Sequence, residues 1–300
     1  MSTRFASDSG LTRRMLVTMF LLGLLYVVFV GVLISLGVGA ITVLVIAGGV
    51  LLVQYFLSDR IALFAMNGRE VSPEQAPELH GMIDRLCALA DMPKPRVAIA
   101  DSDMPNAFAT GRDQKHSVVC VTTGLLRRLE PEELEGVLAH ELSHVAHRDV
   151  AVMTIASFLG ILAGLMTRVA LYSGFGRSRD NNQGGLPIGL IIILVSALVY
   201  AVSFVLTRAL SRYRELAADR AGALLTQRPS ALASALTKVT GEMARIPTRD
   251  LREAEPFNAF YFTPALAKGS GGLAAIFATH PPLSRRLEQL AKISGELGRG

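Results

Sequence analysis

The chain has 300 residues, 51% of them hydrophobic and only 18% charged, with a formal net charge of +5. That balance is too apolar for an ordinary soluble domain, so part of the chain must meet lipid. The positive charge does not point to nucleic acid, because the basic residues border apolar runs and form no aromatic-interleaved stripe.

In chain order, residues 1–14 form a short polar segment, and from Met15 to Ser58 no residue is charged. Such a run is too long for a secretory signal. "SLGVGA" at 35–40 offers a turn, which predicts a membrane hairpin with arms near 15–36 and 39–57. The first polar block, 58–149, opens with "SPEQAPELHGMIDRLCALADM". There Leu79, Met82, Ile83, Leu86 and Leu89 recur at helical spacing, with Pro93 beyond the end. "PRVAIAD", "NAFATG" and "SVVCVTT" read as short strands between turn signals. "EPEELEGVLAHELSHVAHRD" reads as a helix, with Pro131 in the permitted first turn and acidic residues at its positive end.

Two more uncharged runs follow, Val150–Thr167 and Leu186–Thr207, within a membrane block at 150–207. Each is about long enough to cross a ~30 Å hydrocarbon core, the first only just, so it reads either as a span or as a buried or re-entrant helix. The second polar block, 208–300, carries helices at "SRYRELAADRAGALLT", "PSALASALTKVTGEMARI" and "LSRRLEQLAKISGEL", with a loop-rich stretch at 248–272. With four spans, Arg4, Arg13, Arg14, Arg60, Arg69, Arg148, Arg208, Arg212 and Arg214 share one side. Arg168, Arg177 and Arg179 lie opposite, which makes the first side cytoplasmic. The two cysteines, Cys87 and Cys120, form no CxxC and read as packed thiols in a reducing compartment.

His140, Glu141 and His144 spell H-E-x-x-H. On a helix, positions four apart lie on one face about 6 Å apart along the axis, so both imidazoles can reach one ion. Neutral imidazole suits zinc, and a catalytic zinc keeps a position open for water. Glu141, one step round, is placed to take a proton from that water and deliver it to a leaving amine. By chance the pattern should occur in about one in a hundred chains of this size.

A third protein ligand must come from elsewhere. His147 and Asp149 lie too far along an unbroken helix to join the first two. The extended pattern with a glycine turn and a third histidine is missing, because Ala146 and Arg148 stand there. Glu215 in "RELAADRAG" is the better candidate, with Asp219 four residues on and therefore on the same face. One carboxylate could bind the metal while the other accepts the N–H of a ligating imidazole. On a solvated helix, E-x-x-x-D would mean neither. His80 and His116 read as ordinary surface or helix residues.

Taken together, "VLAHELSHVAHRD", "RELAADRAG", "MPNAFATG" and "THPPLSRRL" resemble the peptidase M48 family over about residues 60–295. The resemblance implies a mainly α membrane protein: four candidate transmembrane helices plus a zincin-like (gluzincin) α+β catalytic domain with a small β-sheet. It implies one Zn2+ per chain held by His140, His144 and Glu215, Glu141 as the catalytic base, and Asp219 supporting a ligand histidine. It also implies that Asn106, Ala107, Phe108 and Ala109 belong to an active-site strand on which an extended substrate lies by strand addition. His280, in the family's HP motif, would donate to the oxyanion, occupy the open zinc position at rest, or serve only its loop; Arg286 would hold it or a carboxylate in place. The activity implied is zinc-dependent endopeptidase action at the cell membrane, with the catalytic domain facing the cytoplasm and misfolded membrane proteins as substrates. Two alternatives remain at this point: a membrane scaffold with a structural zinc, and a prenyl-protein protease, although the latter enzymes resemble a larger chamber with more spans.

Overall fold

The computed structural model describes residues 9–37, 66–172, 188–243 and 280–298, with isolated positions between 41 and 64. The second hairpin arm at 39–57 therefore lies largely outside the described residues, as do 173–187 and the expected loop at 248–272.

Three long helices make an apolar layer. Helix α1 covers Ser9–Ser35, and its residues Leu22, Phe29 and Leu33 face inward at helical spacing. Leu16, Phe20 and Val27 occupy the opposite, exposed stripe. Helices α5 (Asp149–Tyr172) and α6 (Ile188–Thr226) pack with α1 through Phe158, Leu162, Met166, Ile192, Val199 and Leu210. On α6 the exposed stripe is Leu194, Leu198 and Val205. Large apolar side chains turned outward along two helices are what a lipid-facing surface requires. Among the described residues two helices, Thr12–Ser35 and Gly189–Thr226, are long and apolar enough to cross a membrane. Of the two other expected crossings, one falls on α5 and one on residues 39–57.

The second layer is a mixed sheet with helices on one face. Strands β1 (Gly68–Glu70), β2 (Arg96–Ala100), β3 (Ala107–Gly111) and β4 (Ser117–Thr122) take the order β1-β2-β4-β3. The β2–β4 pair is parallel and the other two are antiparallel. Helix α2 (Pro77–Ala90), the short α3 (Thr123–Leu126), α4 (Pro131–Ala146), α7 (Pro229–Met243) and α8 (Leu283–Leu297) complete it. Alternation along the strands divides the side chains. Ala107, Val119 and Val121 join the main core with Leu86, Leu138, Leu142 and Leu236, whereas Phe108, Val118 and Cys120 face the other way onto Ala98 and Ala100. Each fully buried Leu or Ile contributes about 1.5–3 kcal/mol, so this core fixes α4 against β3.

Two departures from the sequence expectation matter for the site. The apolar run ending at Thr207 and the helix at 211–226 are one unbroken helix, α6, of 39 residues. Conversely, α4 does not run on into α5. His147 caps its C-terminus, Arg148 takes the left-handed conformation with φ of 55°, and α5 starts at Asp149. Gln114 Nε2 donates to the Ala146 carbonyl at 2.9 Å, which satisfies one of the acceptors exposed where α4 ends.

Candidate metal centre and active site

Helix α4 starts with a capping box. Glu130 and Glu133 satisfy each other's backbone donors, and Pro131 occupies the first turn. Glu133 also takes a bond from Ser234 at 2.6 Å and from Lys238 at 2.8 Å, tying α4 to α7. Helix α6 crosses α4 at very short range: a Cβ on Gly222 would stand 2.9 Å from the His140 backbone nitrogen. That close approach brings Glu215 and Asp219 over His140 and His144.

The Nε2 atoms of His140 and His144 stand 3.2 Å apart. Glu215 places Oε2 at 3.7 Å from the first and Oε1 at 3.5 Å from the second. One ligand atom from each of the three residues lies within 4.8 Å of the others. His140 Nδ1 faces Asp219 Oδ1 at 2.9 Å and His144 Nδ1 faces Asp149 Oδ2 at 2.5 Å. His144 Nδ1 bonds to Asp149 and His140 Nδ1 faces Asp219, so in each ring the tautomer that suits the carboxylate carries its hydrogen on Nδ1 and leaves a lone pair on Nε2, and the two lone pairs meet head to head beside a carboxylate. Three converging acceptors repel one another unless they share a cation. Tetrahedral zinc with bonds of about 2.0–2.1 Å to nitrogen puts two such ligands about 3.3 Å apart, close to the observed spacing. The residues therefore fit a metal ion.

Burial supports the same assignment. It pushes His144 down to about 4 and lowers His140 as well, so both imidazoles are neutral at pH 7 and available as ligands. Burial, then the Glu215 carboxylate, raises the Glu141 carboxyl well above the usual range, while the Ala109 N–H and Arg286 pull it partly back. Glu141 is nearly buried and stands beside the ligand set.

The bond from Ala109 shows how β3 is presented. Asn106 O accepts from Thr122 N at 2.9 Å, so by antiparallel alternation Phe108 and Thr110 also direct their backbone groups to β4. Ala107, Ala109 and Gly111 direct theirs to the opposite side, where no strand pairs among the described residues. Of the four expected substrate-strand residues, Ala107 and Ala109 therefore offer backbone to the open edge. Asn106 and Phe108 are fully engaged in the sheet, and the Phe108 ring lies on the far face.

His280 is buried, with Nδ1 2.9 Å from Glu215 Oε2. Arg286 does not hold His280; it grips Asp219 through Nε at 2.7 Å and Nη2 at 2.6 Å, a bidentate pair. Two residues escaped the sequence reading. Asp149 sits on His144, and Arg214 holds Asp149 through Nη2 at 2.7 Å and donates from Nη1 to its backbone oxygen at 2.6 Å. No glycine or asparagine marks the break at Arg148 that brings Asp149 back.

Residues 73–294 match the model described as peptidase family M48. The chain is 66% identical over 299 residues to Protease HtpX homolog 1 of Streptomyces coelicolor, covering 99% of this chain and 97% of that one. To Protease HtpX homolog of Moorella thermoacetica it is 52% identical, over 99% of each chain. Among solved structures, S. mikatae Ste24p superposes with a TM-score of 0.57 at 16% identity, over 89% of this chain and 62% of that one. That likeness is one of fold, and the chain spans less than two thirds of Ste24p. A family model matched from before α2 to within α8, together with full-length relatives at this identity, establishes that the chain belongs to peptidase family M48.

Proposed function

We propose that the chain is a membrane-integrated zinc endopeptidase that hydrolyses peptide bonds in cytoplasmic regions of misfolded or damaged membrane proteins. The observation that carries this is the convergence of His140 Nε2, His144 Nε2 and the Glu215 carboxylate, whose ligand atoms lie within 4.8 Å of one another. These three residues would hold the ion. A zinc ion there supplies Lewis acidity, polarising the scissile carbonyl and making water acidic enough to attack at neutral pH.

The chain's own residues do the rest. The open edge of β3 holds the substrate as an added strand through the outward-facing backbone of Ala107, Ala109 and Gly111, apart from the Ala109 N–H that donates to Glu141, so recognition rests on backbone and tolerates varied side chains. Glu141 takes the proton of the attacking water and passes it to the departing amine nitrogen, a shuttle that its buried place beside the ligand set allows. His280, whose Nδ1 faces Glu215 Oε2 and whose Nε2 is buried without a hydrogen-bond partner, would donate to the developing oxyanion as the imidazolium, the form in which both ring nitrogens carry a hydrogen. Arg286 keeps Asp219 charged and aimed at His140.

Four crossings, α1, residues 39–57, α5 and the first half of α6, would return the chain to one side each time and leave both polar blocks on the arginine-rich, cytoplasmic side of the cell membrane. Glu215 lies only eight residues beyond Thr207, about 12 Å along α6, so cleavage takes place next to the bilayer surface. The HtpX protease relatives favour this reading over a structural-zinc scaffold or a prenyl-protein protease. The test is Glu141→Gln in the purified, zinc-loaded protein. Proteolysis of an unfolded protein such as casein should fall about 10²–10⁴-fold with zinc retained; undiminished proteolysis would contradict the mechanism.

A further inference from the structure

The two histidines each carry their own carboxylate, and each carboxylate its own arginine. On one side run His140, Asp219 and Arg286; on the other run His144, Asp149 and Arg214. All six are buried or nearly so. Each arginine cancels the charge of its aspartate, so neither set adds net charge next to the ion, and neither aspartate is left as a lone buried anion.

We propose that Asp149 and Arg214 form a second carboxylate clamp that orients His144 as an ion ligand, in parallel with the Asp219–Arg286 clamp on His140. This rests on the reading that His140, His144 and Glu215 hold a zinc ion. By accepting the Nδ1 hydrogen, Asp149 fixes the tautomer that leaves Nε2 bare and fixes the plane of the ring; it also makes the imidazole a stronger donor to the metal.

The clamp depends on the chain break between α4 and α5. On a continued helix a residue five positions after His144 would lie about 140° round the axis and 7.5 Å along it, out of reach of the ring. Arg148, with φ of 55°, ends α4 and turns Asp149 back onto His144. Arg214 then fastens that junction to α6, both through the Asp149 carboxylate and through its backbone oxygen. The His140 clamp is built from α6 and α8 alone. The His144 clamp draws on the first residue of α5 and on α6, two helices that pack together in the apolar layer, so the set of His144 follows the packing of those helices.

The experiment measures zinc affinity of the purified full chain in detergent by competition with a chromophoric chelator. Asp149→Ala should weaken zinc about 10–100-fold. Arg214→Met should weaken it too, Arg214→Lys should recover part of the loss, and the double variant Asp149→Ala with Arg214→Met should be no worse than Asp149→Ala alone. Asp219→Ala, acting on the other histidine, should multiply with Asp149→Ala. If the wild-type chain binds zinc and His144→Ala abolishes tight binding, but Asp149→Ala binds as the wild type does, the clamp is overturned while the metal centre stands. If the wild-type chain takes no zinc, or His144→Ala leaves affinity unchanged, the metal centre itself is wrong and the clamp falls with it. Should Asp149→Ala fail to fold, Asp149→Asn keeps the shape and loses the charge: weaker zinc supports the clamp, and unchanged affinity overturns it.

Discussion

Among single residues, His144 shows most directly how the fold prepares the chemistry. Its imidazole is held down to about 4 by burial, against an ordinary value near 6.5, so the folded, metal-free chain resists taking this proton while the unfolded chain accepts it. Stability from this source is therefore full above pH 6.5 and is lost as the pH falls from 6.5 towards 4. The melting temperature of chelator-treated protein should drop across that window, and His144→Gln, which cannot titrate, should flatten the drop; an identical slope in the variant would refute the assignment. The placement of His140 and His144 side by side, with Glu141 next to them, was legible because a spacing of four on a helix admits one geometry. Glu215 and Asp219 were legible as a pair on one face, although only the crossing of α4 and α6 sets Glu215 against both Nε2 atoms and Asp219 against His140 Nδ1. Asp149 was not, because distance along an unbroken helix excluded it and nothing in "HVAHRD" announces the left-handed turn at Arg148.

Helices and strands set the distances that those residues need. Strands β2, β3 and β4 were readable from their β-branched and alternating residues, whereas β1 is three polar-flanked residues and carries no such signal. The unity of α6 was hidden by Arg208, which reads as the end of a membrane run but continues the same helix. Gly222 is where that helix meets α4. An added Cβ would lie 2.9 Å from His140 N and 3.2 Å from Ala139 C, both rigid backbone atoms. Gly222→Ala should push the helices apart, destabilise the protein by about 1–3 kcal/mol in urea unfolding, and weaken zinc binding because Glu215 moves with α6. Gly81, in α2, has no atom within 4 Å of its would-be Cβ, so Gly81→Ala should gain up to about 1 kcal/mol from helix propensity. Equal effects of the two substitutions would show that the α4–α6 approach is not tight.

Across the whole molecule, the apolar layer and the layer that carries the His140, His144 and Glu215 cluster share α6, so the cluster is fixed at a set height relative to the apolar helices. The four-span layout and its orientation were inferred from charge-free runs and arginine placement; two of those runs correspond to helices that meet the length and apolarity a membrane requires. A metal that joins α4 to α6 stabilises the native state by mass action, so chelation should lower the melting temperature and zinc should restore it.

His140, His144 and Glu215 are proposed to hold one zinc ion. Metal analysis with X-ray absorption on the purified full chain tests it most directly. One zinc per chain is expected, bound by two imidazole nitrogens and carboxylate oxygen, with Glu215→Ala losing the metal or its carboxylate signal. A metal-free wild-type chain, or an unchanged zinc spectrum in Glu215→Ala, would contradict it.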